Sequence, residues 1–392
     1  MARPIGRAGA ALLGTLGPLL ALELALRLFG PFLPGNYDTG TYLVRHPSLG
    51  HFHVPGFDGW IKSREFTTHV QISPLGLRDK RTSYTKPPGT YRILFLGDSI
   101  VEAVQVQANE AISERLEVAL SQSASGRPVE VVNGGVAAYG TGQEYLLLDQ
   151  EGVKYQPDLV ILLFFVGNDV TNNDYRLELW DSDLRLALKP YFDLEPDGSL
   201  RLIPGPPPTP PSGLAQRLRD CCALYNVLET GVMNKLNREY PREQLEAIGG
   251  LKTPLRGLYD ARPEGEWLRA WRISEALLAR VRDRAAEMGA RLVIVGAPEW
   301  RTLDVEAWRR EVEGNRLSSG RLDAAAPTDQ LGAIARQLGV PYVDLLPPLQ
   351  QATSGGIGPL YYDFDKHWTA TGHAVAAGAI ERALREWGLD GR

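Results

Sequence analysis

The chain has 392 residues, a length that suits one large α/β domain with insertions, or two domains. Hydrophobic residues make up 44% and charged residues 23%, close to globular averages, which excludes collagen, a coiled coil, wholesale disorder and a multi-pass membrane protein. The 42 Lys and Arg against 47 Asp and Glu give a net charge of -5, so the chain offers no basic surface for a nucleic-acid backbone. We therefore predict no nucleic-acid partner.

The cysteines and two closely spaced histidines are the first candidates for a metal or disulfide site. Cys221 and Cys222 are adjacent, a spacing that cannot make an ordinary unstrained disulfide and that supplies no metal cluster. His51 and His53 have no third ligand at a defined spacing, which favours a surface loop over a metal site. We predict no disulfide framework, no metal and no cofactor.

The N-terminal 34 residues combine basic side chains with an apolar stretch. Arg3 and Arg7 precede an apolar run over residues 8–22, which continues beyond Glu23. A membrane-spanning helix needs about 20 apolar residues, so this run is of marginal length. The absence of a clean cleavage site favours an uncleaved signal anchor, or transmembrane helix, over a cleaved signal peptide or an apolar helix packed on the domain. The arginines would then stay in the cytoplasm and the rest of the chain would be extracytoplasmic, in the periplasm or at the cell surface.

The remaining chain divides into three parts by composition. Residues 35–90 are rich in Gly, Pro, His and Thr and predict a small β-rich lead-in. Strand and helix patterns then alternate over residues 91–392, with a pause at about 171–265 that predicts an insertion. The insertion contains the proline-rich residues 204–211, which predict an exposed loop or a stiff spacer.

The strand and helix patterns after residue 90 predict the fold class. Apolar stretches predict strands at 92–96, 129–133, 158–166, 291–295 and 342–345. Amphipathic stretches predict helices at 109–121, 141–155, 267–288, 328–338 and 371–387. Apolar strands that alternate with helices are typical of a parallel sheet covered on both faces. The sequence therefore predicts an α/β fold with a five-stranded parallel sheet.

Chemically capable residues follow the predicted strands. Ligands of a parallel sheet bind beyond the carboxyl ends of its strands, so these positions are the ones to examine. They hold Ser99, Asn133 with its two glycines, Asn168 with Asp169, Glu299 with Trp300, and the block from Asp365 to Trp368. A hydroxyl nucleophile, an imidazole base, a carboxylate and amide donors for an oxyanion all occur among them.

These blocks resemble the SGNH or GDSL hydrolase family of serine esterases and acyltransferases, over about residues 91–170 and 290–390. Gly97-Asp98-Ser99 resembles the nucleophile block, Gly167-Asn168-Asp169 the third block, and Asp365-Lys366-His367-Trp368 the variant last block of alginate-type O-acetyltransferases. The resemblance implies a flavodoxin-like three-layer fold. The N-terminal anchor and the segment Gly76-Leu77-Arg78-Asp79 resemble exported bacterial members.

The resemblance assigns a role to each residue. Ser99 would be the nucleophile, with its own N–H in the oxyanion hole, and His367 the general base. Asp365 would hold the imidazole in the required tautomer, and Asn168 would donate its side-chain amide to the oxyanion, a contribution of about 3 kcal/mol. The remaining oxyanion donor, by register from Asn133, would be the N–H of Ala138.

Two departures from the family pattern leave alternatives open. Alanine replaces the usual glycine at Ala138, and its methyl group makes a positive φ costly. The acid commonly lies three residues before the histidine, which here is Phe364; Asp365 lies two before and Asp363 four before, so either carboxylate is possible and the resemblance favours Asp365. Asp98 is interpreted as a turn-shaping carboxylate, Trp368 as a packing residue and His373 as a capping or packing residue.

Three functions are compatible with these residues. The leading hypothesis is an extracytoplasmic, membrane-anchored serine esterase that cleaves O-acyl or O-acetyl groups from a carbohydrate, lipid or small-molecule ester through an acyl-enzyme. The alternative is a polysaccharide O-acetyltransferase with the same three residues but a hydroxyl acceptor. A further alternative, suggested by Ala138 and by Val166 at a position that is often glycine, is a non-catalytic envelope protein that binds glycan. Nothing in the pattern predicts the oligomeric state.

Overall fold

The structure is a computed structural model of the chain and describes residues 7–29, 37–38, 42–81, 83–123, 127–178, 189–205, 218, 222–225, 227–228, 257–314 and 321–391. The chain divides into two compact units. The first unit comprises Met1–Tyr42, Asp58–Val70 and Thr209–Gly250, and the second comprises Leu43–Phe57, Gln71–Pro208 and Leu251–Arg392.

The strands and helices are numbered in chain order. The strands are β1 (Tyr37–Asp38), β2 (Leu43–His46), β3 (Gly50–His53), β4 (Asp58–Lys62), β5 (Thr67–Gln71), β6 (Tyr91–Gly97), β7 (Val129–Gly135), β8 (Leu159–Phe165), β9 (Tyr191–Leu194), β10 (Leu200–Ile203), β11 (Arg291–Ala297) and β12 (Tyr342–Asp344). The helices are α1 (Arg7–Phe29), α2 (Ser99–Glu102), α3 (Ile112–Ser123), α4 (Thr141–Gln150), α5 (Asp169–Asn173), α6 (Tyr175–Glu178), α7 (Gly265–Glu287), α8 (Val305–Gly314), α9 (Ala326–Gln337), α10 (Leu346–Ser354) and α11 (Ala370–Glu386). Short 3₁₀ helices cover Ala108–Glu110, Gly152–Tyr155 and Trp300–Thr302.

The first unit contains α1 and a three-stranded sheet in the order β1-β4-β5. The predicted N-terminal helix is present, but its assignment as a transmembrane anchor is not supported: among the described residues, no helix has the length and hydropathy to cross a membrane. The helix has Pro18 in its interior, and Glu23 interrupts its apolar run. The carboxylate of Glu23 accepts hydrogen bonds from the backbone N–H groups of Ala223 at 2.9 Å and Leu224 at 2.8 Å.

The second unit is built on the parallel sheet that the strand patterns predict. Its strands lie in the order β7-β6-β8-β11-β12, and every neighbouring pair is parallel. Numbered within the sheet alone, this is the order 2-1-3-4-5 of flavodoxin-like folds, whose ligands bind where the strand order reverses. The predicted α/β class and five-stranded sheet are therefore confirmed.

Two hydrophobic cores lie on opposite faces of this sheet, because successive side chains of a strand point to opposite sides. On one face, Leu94 and Leu96 pack with α4, α7 and α9. On the other, Ile93 and Phe95 pack with α3, α10 and α11. All seven residues of β6 are buried, as expected of a central strand between two helical layers. The result is a helix-sheet-helix arrangement of three layers.

The segment before β6 contributes to the same interior. Leu49, Phe52 and Leu77 are buried in the core that contains Leu94. His51 and His53, which the sequence places in a surface loop, are 6% and 1% exposed, so that prediction is wrong. Each finds a partner inside the protein, since His51 contacts a carbonyl oxygen and His53 pairs with Glu102 at 2.6 Å.

The predicted insertion is only partly described. Within it, β9 and β10 form an antiparallel hairpin in which Tyr191 pairs with Ile203. Of the proline-rich stretch, residues 206–211 lie outside the described residues, as does Cys221.

Candidate active site

The nucleophile candidate lies at the turn between β6 and α2. Gly97 ends the strand, and a methyl group at this position would lie 2.4 Å from the Val101 side chain, so the tight turn requires glycine. Asp98 caps the helix, because its Oδ1 accepts the N–H of Ile100 at 2.9 Å, which is the turn-shaping role predicted for it. Ser99 follows as the first helical residue and is half-buried. Its hydroxyl therefore stands at the carboxyl edge of the sheet, beyond the central strand.

A closed loop presents the histidine. Tyr361 and Trp368 form an isolated antiparallel bridge, and the N–H of Tyr362 donates to the carbonyl of His367 at 2.9 Å. Trp368 is fully buried beneath the loop, which confirms its packing role and excludes it as an exposed platform. Directly after it, Thr369 caps α11. The loop is therefore anchored to the core on the side that leads into a helix.

Ser99, His367 and Asp365 form a continuous hydrogen-bonded chain. His367 Nε2 lies 2.7 Å from Ser99 Oγ, and His367 Nδ1 lies 2.7 Å from Asp365 Oδ1. A carboxylate only accepts, so Nδ1 carries the proton of the neutral ring and Nε2 is the acceptor for the serine hydroxyl. The alternative acid, Asp363, is exposed. The structure thus brings together the three residues singled out from the sequence.

The surroundings of His367 favour its protonation. Burial lowers its pKa, but the hydrogen bond and the charge of Asp365, together with the charge of Asp98, outweigh burial and raise the pKa above its ordinary value. An imidazole of raised pKa is a stronger base toward a hydroxyl proton while the ring is neutral.

Asn168 is held beside the serine turn by buried carboxylates. Its Nδ2 donates to Asp98 Oδ2 at 2.9 Å, which leaves the second amide hydrogen without an acceptor among the described residues. Asp169 accepts the N–H of Phe165 at 2.7 Å and so fixes the loop that carries Asn168. Burial raises the pKa of Asp98, and burial with the charges of Glu144 and Asp98 raises that of Asp169 well above its usual range.

The backbone amides of Ser99 and Ala138 complete the candidate oxyanion donors. Neither N–H meets an acceptor among the described residues. Ala138 has a φ of 59°, the left-handed conformation that the usual glycine would adopt freely. For an alanine this conformation costs about 1 kcal/mol, so neighbouring contacts must hold it. The departure from the family pattern therefore changes the energy of this position and leaves its backbone conformation glycine-like.

The loops that carry these donors are in contact. The N–H of Val136 donates to the carbonyl of Gly97 at 3.1 Å. Asn172 of α5 reaches the carbonyl of Tyr139 at 3.5 Å. A methyl group on Gly135 would lie 2.1 Å from the backbone nitrogen of Glu102, so β7 approaches α2 as closely as two backbones can. The loops after β6, β7 and β8 are thereby fixed at one edge of the sheet.

A buried ionic group behind the Ala138 loop has no sequence signal. Lys189 is fully buried, and its Nζ contacts Glu178 Oε1 and the carbonyl oxygen of Ala138, each at 2.9 Å. Burial lowers the pKa of Lys189, partly offset by Glu178. Glu144, also fully buried, has its pKa raised well above the usual range by burial and by Asp98. These residues belong to no motif, so only their packing identifies them.

The other residues after strand ends support the loops. Glu299 accepts the hydroxyl of Tyr259 at 2.9 Å, and the ring of Trp300 lies 3.9 Å from Nζ of Lys366 in a cation-π contact. Lys366 has a φ of 66° between the acid and the histidine, so this contact helps to hold the turn. His373 is buried with its ring edge-on to Trp368, and Thr369 is the residue that caps α11, so His373 has the packing role of its two predicted alternatives.

A family model matches the C-terminal part of the chain, which carries Asp365 and His367. Residues 269–391 match the family model of the SGNH hydrolase-like domain of the acetyltransferase AlgX. No curated protein sequence matches the chain. Ser99 lies outside the matched range, and the structure alone brings it to His367.

Similar solved structures include several esterases. A two-domain esterase (CEX) active on acetylated mannans is 11% identical, with a TM-score of 0.40; the alignment covers 76% of this chain and 49%, about half, of that one. A catalytic mutant of the acetylxylan esterase Axe2 from Geobacillus stearothermophilus is 12% identical, with a TM-score of 0.40 over 75% of this chain and 94% of that one. A lipase/acylhydrolase from Enterococcus faecalis is 11% identical, with a TM-score of 0.36. The alignment covers 76% of this chain and 96% of that one.

Likeness at these scores carries no argument about activity, and the fold rests on the strand order of the chain itself. The part that matches the family model includes the block from Asp365 to Trp368. Residues 269–391, less than a third of the chain, are similar to an SGNH hydrolase-like domain, which supports the resemblance seen in the sequence.

Proposed function

We propose that this protein is an acyl-ester enzyme that works through an acyl-enzyme on Ser99. The observation that supports the proposal is the continuous path from Ser99 Oγ through His367 to Asp365, with 2.7 Å at each hydrogen bond. Ser99 attacks the carbonyl carbon of the ester while its proton passes to Nε2 of His367. The developing oxyanion is stabilised by the N–H groups of Ser99 and Ala138 and by the amide of Asn168.

The second half of the reaction regenerates the enzyme. The tetrahedral intermediate collapses, the bond to the alcohol breaks, and His367 returns its proton to the leaving alcohol. A water molecule then gives a proton to His367 and attacks the ester on Ser99. The bond between the acyl carbon and Ser99 Oγ breaks, His367 returns the proton to Oγ, and the acid product leaves. The substrate class we propose is an O-acetylated carbohydrate, with lipid and small-molecule esters as other possibilities. The extracytoplasmic location stays a prediction.

Acyl transfer is the second candidate, and the match to the acetyltransferase AlgX favours it. The first half-reaction is unchanged, and a sugar hydroxyl replaces water as the acceptor. The hydrogen-bonded path to Asp365 weighs against the third reading, a non-catalytic glycan-binding protein, since a binding site has no need of an activated hydroxyl.

The experiment is nitrophenol release from p-nitrophenyl acetate, with and without a soluble glycan acceptor. We expect release by the wild type and none above background by Ser99→Ala, with mass spectrometry showing an acetyl group on Ser99. Ser121→Ala, a change of an exposed serine on α3, should keep the wild-type rate. Acceleration by glycan with acetylated product would identify a transferase. Full activity of Ser99→Ala would refute the proposal.

A further inference from the structure

The amide between Ala137 and Ala138 is held at its carbonyl end by a histidine. His51 Nε2 lies 2.6 Å from the carbonyl oxygen of Ala137. The peptide bond is trans, so the carbonyl of Ala137 and the N–H of Ala138 point in opposite directions in one plane. A side chain that fixes the carbonyl therefore also fixes the direction in which this N–H points.

The contact defines the state of the histidine. A carbonyl oxygen only accepts, so Nε2 must carry the ring proton. Burial lowers the pKa of His51 to about 4, only partly opposed by the contact with Ala137, so the ring is neutral near pH 7. The hydroxyl of Tyr139 donates to the carbonyl of His51 at 2.6 Å, and the two rings meet edge-on, which fixes the histidine in turn.

The next peptide is held as well. Lys189 Nζ donates to the carbonyl of Ala138 at 2.9 Å and is itself paired with Glu178. Ala138, at a φ of 59°, thus lies between two peptides whose carbonyl oxygens each receive a buried side-chain donor. Two fixed peptide planes determine the φ and ψ of the residue between them. This explains how an alanine keeps a conformation that favours glycine.

We propose that His51 and Lys189 are positioning residues that hold the N–H of Ala138 in the direction an oxyanion donor requires. Neither side chain touches the substrate in this scheme; both act through the backbone of residues 137 and 138. The donor on the Ala137 carbonyl also polarises the amide, which makes its N–H a better donor. The inference rests on the proposed function and extends the site to His51, before the first parallel strand, and to Lys189, in the predicted insertion.

The test compares two replacements of His51 in the full chain. His51→Phe keeps a ring beside Tyr139 and removes the donor. His51→Gln places an amide nitrogen near the position of Nε2 and keeps the donor. With p-nitrophenyl acetate, we expect kcat per active site to fall about 10- to 100-fold in His51→Phe with little change in KM, and to recover substantially in His51→Gln. The loss should be smaller than the 10²- to 10³-fold expected for removal of a complete oxyanion donor.

Two measurements separate positioning from mere stability. Titration with a fluorophosphonate counts the active sites, so a misfolded fraction lowers that count and leaves kcat per site unchanged. A boronic acid, which forms a tetrahedral adduct with the serine, should bind His51→Phe more weakly in proportion to the loss of kcat. The matched control is His46→Phe. His46 lies on β2, which pairs antiparallel with β3, the strand that carries His51, and this variant should behave as wild type.

Each outcome decides the inference. Wild-type kcat and boronic acid affinity in a folded His51→Phe would overturn it while the proposed function stands. A wild type without Ser99-dependent turnover or labelling would overturn both. If His51→Phe does not fold, His51→Gln is compared with His51→Asn instead. The side-chain amide of His51→Asn is shorter and should not reach the Ala137 carbonyl. Equal kcat in these two variants would also overturn the inference.

Discussion

At the scale of single residues, two carboxylates compete for the role of the acid. Asp365 and Asp363 lie on either side of the position that the common family pattern uses. The spacing along the chain favours neither, because a loop can turn either side chain toward the histidine. Only the closed loop between Tyr361 and Trp368, with Lys366 in a left-handed conformation, directs Asp365 to Nδ1 of His367.

The pH dependence of activity tests this assignment. His367 acts as a base only when neutral, so kcat/KM should fall as the pH drops through its pKa, which lies above the ordinary 6.5. Asp365→Asn removes the charge that raises this pKa, while the burial that lowers it remains. The fall of kcat/KM on the acidic side of the pH profile should therefore move to lower pH. The maximal rate should fall on the order of 10³- to 10⁴-fold, because the wrong tautomer becomes accessible.

Asp363→Asn is the matched control for this pH profile. Its side chain is exposed, and the profile should stay that of the wild type. If the acidic part of the pH profile shifted in Asp363→Asn and stayed unchanged in Asp365→Asn, Asp363 would be the acid.

Asn168 provides a second test at this scale. One of its amide hydrogens is engaged by Asp98, which fixes the direction of the other. Asn168→Ala should lower kcat on the order of 10²- to 10³-fold, as loss of an oxyanion donor does, with a much smaller effect on KM. Steady-state kinetics would measure both constants. An unchanged kcat would remove Asn168 from the oxyanion hole.

At the scale of elements, the regular parts of the second unit follow local sequence patterns. The predicted strand at 92–96 is β6, the predicted helix at 267–288 is α7, and the last predicted helix at 371–387 is α11, each within two residues. The two helices are identified by burial that repeats along the chain, and β6 by a continuous apolar run, because this strand is buried on both faces. The helix α10 and the hairpin of β9 and β10 went unpredicted, since short elements carry little periodic signal.

The contact between β7 and α2 depends on one glycine. A methyl group at Gly135 would lie 2.1 Å from the nitrogen of Glu102 and 2.5 Å from the carbonyl carbon of Val101, both backbone atoms that cannot rotate away. Gly135→Ala should therefore lower the free energy of unfolding by about 3 kcal/mol. Urea denaturation would measure the change.

Gly142→Ala is the comparison for Gly135→Ala. Its new methyl group would first meet the ring of Phe192 at 3.1 Å, a side chain that can adjust, and alanine favours the helix α4. We expect a change within about 1 kcal/mol. Equal stability of the two variants would show that β7 and α2 are not in rigid contact.

At the scale of the whole molecule, the segment before the parallel sheet completes the interior of the second unit. A chain that begins at Tyr91 would lose the buried side chains of Leu49, Phe52 and Leu77. Burying each contributes about 1.5–3 kcal/mol, and their sum is comparable to the total stability of a domain. We expect that shortened chain to lack a cooperative thermal transition and a near-UV circular dichroism signal.

A chain that begins at Leu43, where the second unit starts, is the control for the shortened chain. It keeps those three side chains and both buried histidines, and we expect a cooperative transition. A cooperative transition in the chain from Tyr91 as well would contradict the packing role assigned to Leu49, Phe52 and Leu77.

The sequence by itself determined the order of the elements, the α/β class and the residues at the carboxyl ends of the strands, because each of these is written in local periodicity or in short motifs. It did not determine which carboxylate faces His367, whether Ala138 adopts a positive φ, or that His51 and Lys189 hold the peptides beside it. Those properties depend on contacts between residues far apart in the chain, such as the 2.6 Å contact of His51 with the Ala137 carbonyl. Local patterns contain no information about such distances, so only the tertiary structure decided them.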